Sequence, residues 1–491
     1  MLLVAGFVAP VLLLRLAALR VVRRADPLGS TRRYNRLVAL CRIWVAVWLG
    51  VCVHALGWHG SVASALGVID KPWLPLSAVF VLAVTFPALA AWVGLWWAQY
   101  PVDLHARELD LLARVEHDLA PHQPPPLRPY LLAHVRHGLL FLLVPILAVL
   151  VAADVGAIAV QYLVSRTNPN RELFAQLTLI PAAGLVYLLA PEILKRILKT
   201  RPLPDGPLRR RLEAVCRAVR LRCRDILLWD TQYSMGNAAV MGVIPRFRYI
   251  MLSDLLIETL HDRQIEAVFA HEAGHVVHHH MAWYIVFFVA FTLGSLGPGQ
   301  ALLDWASPWL VQWKPAASLA PLLATLGGFG CIFVLFGVLS RRFERQADVF
   351  AARMIQTDWG SNPPDGAAPP VGPALTPRQR LLARSWVGEE GAGVFSGALE
   401  RVAVVNNMPI AARSWCHGSI ARRMRSLLAM SRHPRLTMEF DNLMRRVFAV
   451  LSLALVLMAV WVFIRPPRLG GAEVGRGPTH AHSAAPSSNA D

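Results

Sequence analysis

The chain of 491 residues is 55% hydrophobic and 16% charged, where an ordinary soluble domain runs at about 45–50% and about 25%. Its 49 lysines and arginines against 31 aspartates and glutamates leave a formal charge of +18, yet the mean hydropathy is +0.44. This argues against a purely cytosolic enzyme and against a nucleic-acid binder, which would be basic and hydrophilic, and points to a lipid bilayer crossed by spans with cationic loops.

A hydrocarbon core about 30 Å thick needs about 20 mostly apolar residues per helix. Eight windows qualify, over residues 2–22, 38–57, 74–98, 138–162, 173–194, 282–303, 319–340 and 447–464. The first is interrupted by Arg15 and Arg20 and lacks a basic region before the apolar run, its charges following instead, which suits a retained anchor with its N-terminus outside rather than a signal peptide.

The loops alternate as a consistent topology demands. Arg23, Arg24, Arg32, Arg33 and Arg36 follow the first span, only Asp70 and Lys71 the second, and Arg107, Arg114, Arg128 and Arg136 the third. Lys195, Arg196, Lys199, Arg201 and Arg209 to Arg211 give the strongest inside signal. The expected organisation is a five-span region over 1–194 and a cytoplasmic segment over 195–281. A membrane hairpin follows over 282–340, then a second cytoplasmic segment over 341–446, a last span over 447–464 and a disordered tail over 465–491. Residues 361–377, rich in Pro and Gly, read as a loop. Six cysteines without C-x-x-C spacing predict no disulfide scaffold, and Cys41, Cys52 and Cys331 in apolar runs read as buried hydrophobes.

The chemistry begins at residues 261–280. Ile265, Val268 and Phe269 fall at helical spacing, with Asp262 placed to cap the helix by accepting a backbone N–H. On that helix His271 and His275 project from one face and can bind one zinc ion, and Glu272 beside them can act as general base on a metal-bound water. Gly274 between them lets another segment approach closely. Catalytic zinc takes three protein ligands and a water. The candidate third ligand is Glu344, where the hairpin re-enters the cytoplasm, and Asp348 one turn later can receive a ring N–H from a zinc-bound histidine. The alternative for Glu344 is a pairing with arginine at the membrane border. His278, His279 and His280 read as interfacial.

On these residues, His271-Glu272-Ala273-Gly274-His275, Glu344-x-x-x-Asp348 and the two-span hairpin between them, the sequence resembles the CAAX prenyl endopeptidase family of integral-membrane zinc metalloproteases, of gluzincin type. It is similar more distantly to the bacterial heat-shock membrane zinc proteases. The resemblance implies an all-α polytopic membrane protein of about eight transmembrane helices, carrying a mainly helical zincin-like domain with a small β-sheet near residues 225–253. It also implies one zinc ion per chain and a peptide or membrane-protein substrate. Two further segments match. Asn237 and Ala238 resemble the family's Asn-Ala segment and would bind an extended substrate beside a strand over Phe247 to Leu252. His417-Gly-Ser-Ile-Ala-Arg-Arg423 resembles the family's His-Pro-x-x-x-x-Arg pattern, with Gly418 in place of proline. His417 would then donate to the oxyanion, and Arg423 would orient substrate or active-site carboxylates, Arg422 and Arg425 being competing candidates.

Two substrate readings stay open, clearance of damaged membrane proteins and C-terminal processing of prenylated proteins. The alanine- and arginine-heavy composition suggests a bacterial inner membrane, where prenylation is generally absent, and leans toward the former. A different class, a zinc-binding transporter or scaffold, would place polar ligands within spans, where Asp154 is the one clear acid.

Overall fold

The computed structural model describes residues 2–23, 27–67, 76–116, 122–168, 171–299, 314–355 and 386–464, with a few isolated positions between 301 and 308. The Pro- and Gly-rich stretch over 361–377, the Asp70-Lys71 loop and the tail over 465–491 lie outside the described residues. The first half of the chain folds as α1 (Leu2–Val22), α2 (Pro27–His54), α3 (Trp58–Ala65), α4 (Ser77–Glu116), α5 (Leu127–His134), α6 (Phe141–Leu163), α7 (Arg171–Leu177) and α8 (Leu179–Ile197). Seven of the described helices are long and apolar enough to cross a membrane, and the chain is a multi-pass membrane protein. The eighth window, 319–340, lies within a longer helix, Lys314–Ile355, part of whose side chains are outside the described residues.

α4 corrects the expected third loop. It runs 40 residues, well beyond the apolar window, because Ala106 to Arg114 are nearly all strong helix formers. Leu14 and Ala18 of α1 are buried against α2 and α4, with Val45, Cys52, Leu95 and Ala98 in the same core. Cys41 and Cys52 pack there as expected. Cys331 does not: it is exposed, on a stretch where Phe329, Phe333 and Val334 also face outward, the apolar surface a helix keeps when lipid is its solvent. Asp154 of α6 accepts from the backbone N–H and hydroxyl of Ser77, at 3.1 and 2.6 Å, and so holds the start of α4.

After α8 the polar chain builds a four-stranded sheet of β1 (Thr200–Pro202), β2 (Asp225–Trp229), β3 (Ala238–Met241) and β4 (Tyr249–Ser253). The order is β1-β2-β4-β3, with β2 and β4 parallel and the outer pairs antiparallel. Every residue of β4 is buried, as a central strand covered on both faces requires. This moves the free edge. The sequence suggested it near Phe247 to Leu252, but Pro245–Phe247 is a helical turn, β4 is central, and β3 is the edge beside the metal helix. α9 (Pro207–Ala218) is fixed to the sheet by Arg209, which reaches the Leu203 carbonyl at 2.6 Å, Asp225 at 2.7 Å and Glu213 at 3.0 Å.

α10 (Asp254–Thr259) leads into α11 (Asp262–Val277), the motif helix. Its cap is His261 rather than Asp262: the His261 N–H donates to Gln264 at 3.3 Å, while Asp262 is the first helical residue and pairs with Arg211. Asp262 is helical itself, so it cannot reach back as a cap, but a carboxylate in the first turn still suits the helix dipole.

Beyond α12 (His280–Gly294) come α13 (Lys314–Ile355), α14 (Glu389–Val405), α15 (Ile420–Arg432) and α16 (Pro434–Ile464). Two compact units result, residues 1–278 with 343–437, and 279–342 with 438–491. In the second, Phe336 packs on Tyr284 and Phe288, with ring centroids 5.1 and 5.5 Å apart. The last span joins the hairpin there: Phe448 stacks on Trp283 at 4.6 Å, and Trp461 and Met458 cover Gly297 and Gly294.

Candidate metal centre

α11 places His271 and His275 one turn apart, and α13 brings Glu344 and Asp348, also one turn apart, against them. The two helices approach at Gly274. A Cβ there would lie 3.2 Å from the Ala347 Cα and 3.1 Å from the Phe350 ring, so only glycine lets the helices come this close. His271, His275 and Glu344 form the one group of metal-ligating side chains found among the described residues. The two Nε2 atoms are 3.3 Å apart, and the Glu344 oxygens lie 3.7 Å from that of His271 and 3.6 Å from that of His275. Donors on one tetrahedral ion at 2.0–2.2 Å sit about 3.3–3.6 Å from each other, so the set fits a single metal ion.

Behind the donors, Asp348 is 1% exposed and its Oδ1 lies 3.1 Å from His271 Nδ1, which leaves Nε2 of that ring to the metal position. Arg423 of α15 grips Asp348 with two parallel hydrogen bonds, 2.9 Å from Nε and 2.5 Å from a terminal nitrogen, and its other terminal nitrogen lies 3.4 Å from Glu344. Of the two roles left open for Arg423, the arrangement brings it to carboxylates. Arg422 and Arg425 are exposed, and Arg425 donates to the Ala421 carbonyl of its own helix. His417 Nδ1 sits 3.0 Å from Glu344, and its side chain is 60% exposed.

The electrostatics follow. Burial acts to raise Glu344 and Asp348, but the surrounding cations outweigh it and hold both well below the usual carboxylate range: His417, His271 and Arg423 for Glu344, Arg423 and His271 for Asp348. Glu272 is shifted the other way. Burial, with Glu344 nearby, pushes it up to about 7, against the opposing charge of His271. The backbone N–H of Val240 acts on its carboxylate from β3.

The ladder determines what β3 offers. Ser253 N–H bonds the Asn237 carbonyl at 2.9 Å, and Asn237 N–H bonds the Ser253 hydroxyl at 2.8 Å. Alternation along an antiparallel pair then turns the backbone groups of Ala238 and Val240 to the free edge, while those of Asn237 and Ala239 face β4. So Ala238 presents its main chain outward. The main chain of Asn237 is occupied within the sheet, and only its exposed side chain is free to meet another molecule.

Three contributors escaped the sequence reading. Phe395 of α14 stacks on His271 with centroids 5.5 Å apart. Asn406, at the end of α14, clamps Gly236 just before the edge strand, donating to its carbonyl at 2.7 Å and accepting its N–H at 3.0 Å. Val240 faces Glu272. None stands at a telling spacing from the motif. His278 packs edge-on against Phe350, His279 takes a left-handed backbone where α11 ends, and His280 is buried; none of them belongs to the donor set.

Residues 202–361 match the model of peptidase family M48, a span that takes in His271, Glu272, His275, Glu344 and Asp348 and ends before His417 and Arg423. A curated relative, "CAAX prenyl protease 1 homolog" of Arabidopsis thaliana, is 27% identical over 166 residues, 32% of this chain and 38% of its own length. The crystal structure of S. mikatae Ste24p aligns over 87% of this chain and 97% of its own, at 15% identity and a TM-score of 0.39.

Proposed function

We propose that the protein, whose residues 202–361 match the model of peptidase family M48, is a membrane-embedded zinc endopeptidase cleaving membrane-associated proteins or peptides. The observation that carries this reading is the position of Glu272, between a three-donor cluster and the free edge of β3. His271, His275 and Glu344 would hold the ion; zinc bound there supplies Lewis-acid polarisation of a carbonyl and a water of lowered pKa. Glu272 takes the proton of the attacking water and delivers it to the leaving amine. The substrate lies extended along β3, its main chain bonded by the outward groups of Ala238 and the carbonyl of Val240 and contacted by the Asn237 side chain. His417, held through Nδ1 by Glu344, turns its other ring nitrogen to the oxyanion. Arg423 fixes both carboxylates behind and beside the donors.

The test is Glu272→Gln in the full-length protein. It should retain the metal and lose peptide cleavage by at least about a thousandfold; cleavage at the original rate would remove Glu272 from the mechanism. A transporter or scaffold reading is weakened by Asp154, whose carboxylate is used by Ser77. Cleavage by purified protein that stops on adding a chelator and returns with zinc separates the two classes.

For the substrate, clearance or processing of membrane proteins at the cytoplasmic face of a bacterial inner membrane is our first reading. A second, cleavage at a prenylated C-terminal CAAX motif, is favoured by the name of the Arabidopsis relative. Matched peptides with and without the prenyl group distinguish them: preference for the prenylated one selects the second.

A further inference from the structure

Where α8 ends and the sheet begins, a groove of about 410 Å³ opens among Lys195, Arg196, Lys199, Arg224, Asp225 and Tyr249, on the far side of the sheet from edge strand β3. Its charge balance is one-sided. Asp225, the one acid in the lining, is engaged by Arg209 at 2.7 Å. Lys195 and Arg224 share a single neighbouring carboxylate, Glu192, at 2.6 and 2.8 Å, so that trio keeps one net positive charge. Arg196 and Lys199 are exposed and make no side-chain ion pair among the described residues.

Two further observations define what the groove receives. Lys195 and Arg196 occupy the last turn of the apolar helix Phe174–Ile197, which puts the groove where a membrane span ends and lipid phosphates begin. Lys199 has φ +51°, a left-handed backbone unusual for lysine, at the corner between span and sheet. That backbone is the ordinary one just past a helix C-terminus, so what bears on a ligand is the exposed ammonium held at this corner.

We infer that this groove is a binding site for the phosphate of an anionic membrane lipid, with Arg196 and Lys199 as its free ligands and Lys195 and Arg224 as its floor. Its size suits a headgroup, and its cations sit at headgroup depth. The Tyr249 ring braces the floor, under Lys195 at 4.9 Å and Arg224 at 5.9 Å, and gives that part of the site an orientation a random cluster of surface lysines lacks.

The test uses full-length protein in neutral detergent, with bound lipid counted by native mass spectrometry against phosphatidylglycerol and phosphatidylcholine of matched chains. The wild type should hold one phosphatidylglycerol at least tenfold more tightly than phosphatidylcholine. An Arg196→Gln, Lys199→Gln double variant should lose that preference. Lys199→Gly removes a cation while favouring the left-handed backbone, so it should weaken binding severalfold without lowering the thermal midpoint, which separates lost binding from lost fold. Both variants should keep their metal. Equal retention of the two lipids, or an unchanged preference in the double variant, overturns the site. Displacement of phosphatidylglycerol by inorganic phosphate at equal concentration overturns the lipid assignment in favour of a free anion.

Discussion

Asp348 binds no metal in this scheme, yet the centre depends on it. It is buried, it faces the ring nitrogen of His271 that the metal does not use, and both its oxygens are gripped by Arg423. Asp348→Asn keeps the shape but removes the charge that fixes the tautomer and strengthens His271 as a donor. Metal affinity should fall about 10–100-fold, read by competition with a chromophoric chelator, with helix content unchanged. At this scale the sequence was legible wherever function obeys a short period. His271 and His275 lie one turn apart, as do Glu344 and Asp348, and α-helical geometry alone puts each pair on one face, with Glu272 next to His271. Phe395 and Asn406 were illegible for the converse reason: they reach the site through the packing of α14, and no spacing along the chain encodes that contact.

Among elements, the edge strand gives the sharpest test, because its ladder alternates. Proline at Val240 deletes the edge N–H that acts on the Glu272 carboxylate and spares the pairing with β4. It should leave the fold and the metal in place and cut cleavage of extended peptides at least tenfold, with kcat falling because Glu272 loses that donor. Proline one residue earlier, Ala239→Pro, deletes a ladder bond and should instead lower the unfolding midpoint; equal effects at both positions would contradict the register. The crossing of α11 and α13 offers a second test. Gly274→Ala puts a methyl group 3.2 Å from the Ala347 Cα, so the helices must part by a few tenths of an ångström. A loss of about 1–3 kcal/mol is expected, with weaker metal binding because the donors sit on the two separated helices. The sequence foretold the close approach from the glycine itself and foretold a sheet near 225–253. It misplaced the edge, since a short apolar strand such as Tyr249–Ser253 looks alike whether one neighbour or two flank it.

For the molecule as a whole, span count was readable because apolar length is a one-dimensional property. Charge was readable only in part. Arg209 and Arg211, counted toward orientation, are engaged by the domain's own carboxylates, Asp225 and Glu213 for the one, Asp262 and Glu266 for the other. The last span, to which the sequence assigned no partner, packs against the hairpin through Phe448 and Trp461. Deleting residues 447–464 should therefore speed proteolysis between residues 279 and 342 severalfold. It should leave metal content intact, since all three donors belong to the other unit. The split of those donors across the hairpin also sets a timetable. A ribosome adding about 5–20 residues per second releases His271 and His275 several seconds before Glu344, and Arg423 several seconds later still. The nascent chain thus carries only two of the three candidate donors until both hairpin helices have been synthesised, and the proposed centre can close only after them.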